Sequence, residues 1–464
     1  MTPLAPIVMF GWIPLVIFLF AKLKPSHHAV VAGFILAWCF LPQAEFKLPG
    51  IPVYDKTSAA GYGILLGAFI FDRRIFSQFK PHFLDLPVAL WCFSSFISSI
   101  TNGLGAYDGV SATQGKIAEW FIPYFIGRLY FNRPEALRDL AIGILIGALI
   151  YIPLCWIELV ISPRLHKIIY GFSVGNFAQT KRSGGWRPMV FMKHGLMCAM
   201  WLASGALAGL RLFFSKNIGK KIPLLGVSSL IALAILVVTL VLCKSFGALV
   251  LMIVGAIIIP VAARLRTFIP IIAIIIVPVL YEVTRGTGLW DAQNLIDTSL
   301  AISNADRADS LAFRIKNENV LIAKALDQKW FGWAGWKRSF IFNDAGVAVS
   351  VPDGLWIIAL GQNGLVGLTA LTLTLLVPQL LFLRMFPIKR WPEKGIAAIA
   401  PLSLLLGLFM IDNLFNDMFN PAMLLSAGGI TGLYIRHARR ENLFPDETGA
   451  PATAPPPEPV PRLL

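Results

Sequence analysis

Charge is scarce in this chain, and so are the residues on which most redox and metal chemistry depends. Of 464 residues only 14% are Asp, Glu, Lys or Arg, against 56% that are hydrophobic. A water-soluble core of this length cannot absorb so much apolar side chain, so a soluble globular enzyme is excluded and repeated membrane crossing is expected. The five cysteines (Cys39, Cys92, Cys155, Cys198, Cys243) fall singly in or beside apolar runs, without metal-type spacing. They read as small buried hydrophobes, and neither a disulfide nor a zinc site is implied. The sequence also lacks a P-loop, a dinucleotide fingerprint, HExxH, paired CxxC motifs and a metal-holding DxD. The net charge of +15 does not call for nucleic acid, because polytopic proteins keep Lys and Arg in their loops for topological reasons.

What the sequence does have is apolar runs. They cover about 4–21, 29–42, 59–71, 84–100, 116–131, 137–161, 188–213, 222–242, 246–263, 267–283, 353–383, 396–411 and 421–435, which reads as about 12–13 membrane spans. The first run is followed, not preceded, by basic residues, which is the wrong polarity for a cleaved signal peptide. Alternate loops carry Lys22/Lys24, Arg73/Arg74/Lys80, Arg133/Arg138, Lys216/Lys220/Lys221, Arg264/Arg266, Arg384/Lys389/Arg390/Lys394 and Arg436/Arg439/Arg440, whereas TNGLGAYDGVSAT and DNLFNDMFNP hold no Lys or Arg. The positive-inside rule then places the N-terminus outside and the C-terminus in the cytoplasm. Four regions follow: an N-terminal transmembrane bundle (1–284), a large outward loop containing helices (285–352), C-terminal transmembrane helices (353–440) and a Pro-rich cytoplasmic tail (441–464) that reads as disordered.

Two outward segments break the charge rule. Residues 162–187 hold Arg164, Lys167, Lys181, Arg182 and Arg187 with no carboxylate, and the large loop carries Arg285, Arg307, Arg314 and several lysines. Cations on the translocated side oppose the topological bias, so their clustering points to an anionic ligand, most simply a phosphate or pyrophosphate. Anionic headgroups or plain solvation account equally well for any one of them. Lys193 and His194 near a span end, and Lys244 in the tight turn LCKSFG, join the same set.

Within the large loop, apolar spacing predicts an amphipathic helix over 306–326, with Arg314 and Glu318 one turn apart. The bland reading of that pair is a solvated i,i+4 ion pair. Trp330, Trp333 and Trp336 then recur among glycines in WFGWAGW, either as stacking platforms for sugar rings or as an interfacial belt. Asp353 in SVPDGLW stands at the start of an apolar helix, where it can serve as N-cap and also as a carboxylate at the water boundary able to act on a hydroxyl. A transferase on that face has no access to ATP or nucleotide sugars and needs a membrane-borne, pre-activated donor.

These features resemble the bacterial O-antigen ligase and polymerase group, multi-span transferases that use undecaprenyl-pyrophosphate-linked glycans. The likeness rests on the large loop, the Arg of its helix (Arg314), the FGWAGW turn and the GQNGLVG pattern in the following helix. The family's Ser-Arg-Gly turn matches LCKSFG, which puts Lys244 at the Arg, and Asp353 in VPDGLW stands where the ligases carry a His-Asn pair. That departure, with PYFIGRLYF and RPMVFMKHGL, points to the exopolysaccharide polymerase-like branch.

The resemblance implies an inner-membrane, metal-independent glycosyltransferase that joins undecaprenyl-pyrophosphate-linked repeat units on the periplasmic face, without a cofactor. Arg187, Lys193, His194, Lys244 and Arg314 are then the pyrophosphate ligands, Asp353 the residue that orients or deprotonates the acceptor, Glu318 the alternative base, and Trp333 and Trp336 the sugar platforms. Expected partners are the lipid-linked oligosaccharide, membrane lipid and other polysaccharide-assembly proteins. A ligase passing the glycan to another lipid, and a non-enzymatic lipid-linked oligosaccharide flippase, are the rival readings.

Overall fold

A computed structural model describes residues 1–48, 52–175, 177–182, 184–302, 305–441 and 443. The side chain of Arg307 and nearly all of the Pro-rich tail lie outside the described residues, so the expectations placed on them are not addressed.

The N-terminal half begins with α1 (Leu4–Lys22), α2 (His27–Phe40) and α3 (Lys56–Phe71). A capping box starts α3: Asp55 accepts from the Ser58 amide while Ser58 Oγ accepts from the Asp55 amide. Next come α4 (Leu86–Thr101), then α5 (Gly105–Lys116) and α6 (Ile122–Tyr130), joined through a π turn over Ile117–Phe121. The run expected at 116–131 is thus the second part of a longer, locally underwound helix. The long helix α7 (Pro134–Ile161) has proline in its first turn and leads to the short α8 (Leu165–Tyr170) and a small hairpin, β1 (Lys181–Arg182) with β2 (Gly185–Trp186).

Helices α9 (Gly195–Phe214), α10 (Ser229–Leu242), α11 (Phe246–Leu265) and α12 (Ile269–Gly286) follow. The span expected from 188 begins only at Gly195, because Pro188 and a left-handed Val190 keep 187–194 out of the helix. After α13 (Gln293–Ile302) comes α14 (Ala305–Leu326), the amphipathic helix anticipated from its spacing. Its Leu321, Ile322 and Ala325 join the main core, while Ile315 packs with Ala292 and Ile296 in a second, smaller cluster. The chain ends with α15 (Leu355–Met385), α16 (Lys394–Phe415) and α17 (Pro421–Ala438), the last capped by Asn420.

Among the described residues, eight helices are long and apolar enough to cross a membrane: α1, α4 taken with the turn Phe83–Asp85 that leads into it, α7, α9, α11, α12, α15 and α16. Helices α2, α3 and α10 are apolar but shorter. Large apolar side chains such as Ile7, Phe18, Leu230, Ile257 and Leu280 point outward on the peripheral helices, while α16 is enclosed almost throughout. That inversion of the soluble pattern is the one expected of a multi-pass membrane protein. Small residues allow the tightest crossing, where Gly127 of α6 meets the Leu425 carbonyl of α17 and Gly428 of α17 meets the Tyr124 carbonyl.

Candidate functional site

Helix α14, between α12 and α15, is anchored to the bundle by a buried carboxylate. Glu318 of α14 is 3% exposed and accepts from Tyr281 Oη at 2.7 Å, from Arg285 Nη2 at 3.3 Å and from Trp356 Nε1 at 3.3 Å. Arg285 also donates to Asn319 Oδ1 at 2.7 Å and to the Trp290 carbonyl. Glu318 therefore pairs with α12 and α15, not with Arg314. Burial raises its pKa, opposed by those donors. Its geometry is that of a clamp fixing α14 on the bundle, in place of the solvated i,i+4 pair expected with Arg314.

One turn earlier, Arg314 reaches Asp353, with Nε 3.5 Å from Oδ2 and both side chains partly open to water. Asp353 does not cap α15; Gly354 occupies the N-cap position without a side-chain bond. Burial raises the Asp353 pKa, and Arg314 pulls against it. A partly desolvated carboxylate whose partner is a single guanidinium can accept a proton from a hydroxyl.

The loop 187–194 supplies the cationic side of the site. The loop doubles back, and the buried Arg187 side chain packs on Gly195. Arg187 Nη2 donates to the Lys244 carbonyl at 3.1 Å, and the Lys244 side chain lies against Gly185 of the hairpin. His194 caps α9 by accepting the Leu196 amide on Nδ1, so Nε2 carries the proton and faces Gln179. Burial, then Arg187, Arg314, Arg182 and Lys193, lower the His194 pKa to about 4. It is a neutral donor at pH 7, and Arg187, Arg314, Arg182 and Lys193 each act on it through space. Arg187, Lys193, His194, Lys244, Arg314 and Asp353 are thus brought to one end of the bundle. Behind the loop is a cavity of about 630 Å³, lined by Arg164, Lys167, Ile168, Phe177 and Met189 among others.

The tryptophans sit differently. The 330–334 turn docks backbone to backbone on α15 where that helix breaks: Trp333 N donates to Gly361 O, Ala334 N to Gln362 O, Leu365 N to Lys329 O and Val366 N to Trp330 O. Gly364 has φ +64° and Gly332 φ +70°, and a Cβ on either would run into the other segment's backbone. The FGWAGW and GQNG patterns are therefore two halves of one joint. One face of Trp333 is covered by Lys324 Nζ, 3.7 Å from the ring centre, whereas Trp336 is 79% exposed and donates to Asp108.

Two groups went unseen in the sequence. Lys116 donates to Asn363 Oδ1 at 2.7 Å beside the break in α15, a contact 247 residues apart in the chain. At the end of α16, Asp412 accepts from Asn416 at 2.9 Å, and the Asn416 carbonyl accepts from Leu355 next to Asp353. Asp412 Oδ2, Asn413 Nδ2 and Asn416 Oδ1 are buried with no hydrogen-bond partner, which is expensive unless something else satisfies them. The absence of Lys and Arg in DNLFND was the available signal. No protein-family model matches the chain, and no curated protein does either.

Proposed function

We propose that the protein is a glycan polymerase of a bacterial inner membrane, joining undecaprenyl-pyrophosphate-linked repeat units on the periplasmic face. The observation that carries this reading is the pair of Arg314 with the part-open Asp353, at the end of the bundle where Arg187 holds the Lys244 turn. Such a site offers positive charge to a pyrophosphate and, beside it, a carboxylate for a hydroxyl.

In this reading the acceptor hydroxyl attacks the anomeric carbon of the donor sugar. Its proton passes to Asp353, the bond from that carbon to the pyrophosphate oxygen breaks, and the electron pair leaves with the lipid pyrophosphate. Arg314, Arg187 and Lys244 neutralise the leaving group, a task that grows as charge develops. Trp336 offers an open ring face to a sugar. Pyrophosphate is a good leaving group, so these cations replace a metal in the transfer step. Positive-inside charge supports an outward 285–352 segment with the C-terminus in the cytoplasm.

A deletion strain tests the class. Loss of the polymerase leaves lipid-linked single units accessible on the periplasmic face, whereas units trapped on the cytoplasmic face contradict the proposal in favour of a flippase. Single units that vanish into unextended conjugates on another lipid when the gene is restored contradict it in favour of a ligase.

A further inference from the structure

At the other end of the bundle three potential metal ligands converge. His27 and His28 open α2, and consecutive helical residues point about 100° apart. Yet both Nε2 atoms reach the same oxygen, Asp139 Oδ2 of α7, at 2.9 and 3.0 Å, with the rings edge to face. The three ligand atoms all lie within 4.8 Å of one another. Tetrahedral zinc, with bonds near 2.0–2.1 Å to nitrogen and oxygen, requires ligand atoms about 3.3 Å apart. The two His–Asp distances need to open by only a few tenths of an ångström to admit the ion.

The surroundings favour that use. Arg138 Nε and Nη2 hold the other carboxylate oxygen, Oδ1, at 3.2 and 3.1 Å, which turns Oδ2 toward the imidazoles. An outer partner that orients a ligating carboxylate is a recurring part of metal sites. The side chains are 15%, 43% and 17% exposed, so the group is anchored but reachable from water, with room for a solvent ligand. Two imidazoles and one carboxylate suit zinc, cobalt, nickel or copper, whereas magnesium and calcium prefer all-oxygen shells. The Arg138 charge opposes a cation and tempers its affinity.

We propose that His27, His28 and Asp139 bind one borderline transition-metal dication of the zinc type, tying α2 to α7. Asp139 and Glu158, which holds the 187–190 loop, are separated on α7 by about 28 Å of helix, so this site is distinct from the Arg314–Asp353 site and does not depend on its function.

The test uses tag-free full-length protein in detergent, stripped with chelator and titrated with Co²⁺, followed by zinc competition. The expected result is one equivalent with visible d–d bands, displaced by zinc and weakened roughly tenfold or more in His28→Ala and Asp139→Asn. Gel filtration and helical circular dichroism check each variant; His28 is exposed enough that His28→Ala decides the matter if Asp139→Asn fails to fold. No saturable binding, unchanged affinity in His28→Ala, or near-ultraviolet thiolate-to-cobalt bands pointing to the cysteines would each overturn the proposal.

Discussion

The Glu318 clamp makes the sharpest structural prediction. Glu318→Ala leaves Arg285, only 2% exposed, without its carboxylate, and also orphans Tyr281 Oη and Trp356 Nε1. Removing one partner of a buried ion pair costs about 3–5 kcal/mol. Arg285 keeps Asn319 and the Trp290 carbonyl, which argues for the low end. At 1.4 kcal/mol per factor of ten, the opening of α14 becomes roughly a hundredfold more frequent. Hydrogen exchange of the protein in lipid nanodiscs reads this directly, with faster exchange over 308–326 and none of it in α9. Arg285→Met with Glu318→Leu should recover much of the protection, because replacing both charges removes the unpaired one. Glu318→Gln keeps the shape, so it should retain far more transfer activity than Asp353→Asn. Unchanged exchange in α14 of Glu318→Ala refutes the clamp, and activity lost in Glu318→Gln with α14 intact restores Glu318 as a base.

Four further outcomes follow from the site. Burial holds the Asp353 pKa above the ordinary aspartate range, so activity falls on acidification through that value; removing the opposing charge in Arg314→Gln moves the acid limb of the residual activity to higher pH, and an unmoved limb contradicts the pairing. His194, with its pKa near 4, adds no charge around neutrality, so His194→Gln leaves the pH dependence of binding to a lipid-pyrophosphate sugar unchanged between about pH 5.5 and 8, as isothermal titration would show. Gly332→Ala or Gly364→Ala puts a Cβ into the facing backbone at a positive φ, costing about 1–3 kcal/mol in strain before the clash is counted, and should uncouple the 330–334 turn from α15 in proteolysis and abolish transfer. Chelator-treated protein keeps elongating lipid-linked glycan; activity that disappears and returns with added zinc in His28→Ala, where the α2–α7 site is removed, contradicts a metal-free transfer step.

The elements were legible because hydropathy and helical spacing are local. The α14 boundaries, and most apolar runs to within a few residues, follow from length and periodicity alone. What failed was anything decided by a distant partner. Glu318 shares a face with Arg314 in sequence, yet Tyr281 and Arg285 from α12 claim it. Asp353 is in the right place for an N-cap, but its carboxylate turns to Arg314. Cys155 and Cys198, 43 residues apart and judged isolated, bring their sulfurs within 3.6 Å. The two Gly-Trp and Gly-Gln-Asn-Gly patterns were each noticed, but their joint depends on a backbone pairing that no spacing rule encodes.

The central claim is that cations and one carboxylate at this end of the bundle extend a lipid-linked glycan. The most direct measurement reconstitutes the purified protein with an undecaprenyl-pyrophosphate repeat unit and sizes the lipid-linked products on a gel, beside folded Arg314→Ala and Asp353→Ala. The account predicts a ladder from the wild type that is lost in both variants. A wild-type protein that is folded, given its native donor, and yields no elongation contradicts it, as does a ladder that survives both substitutions.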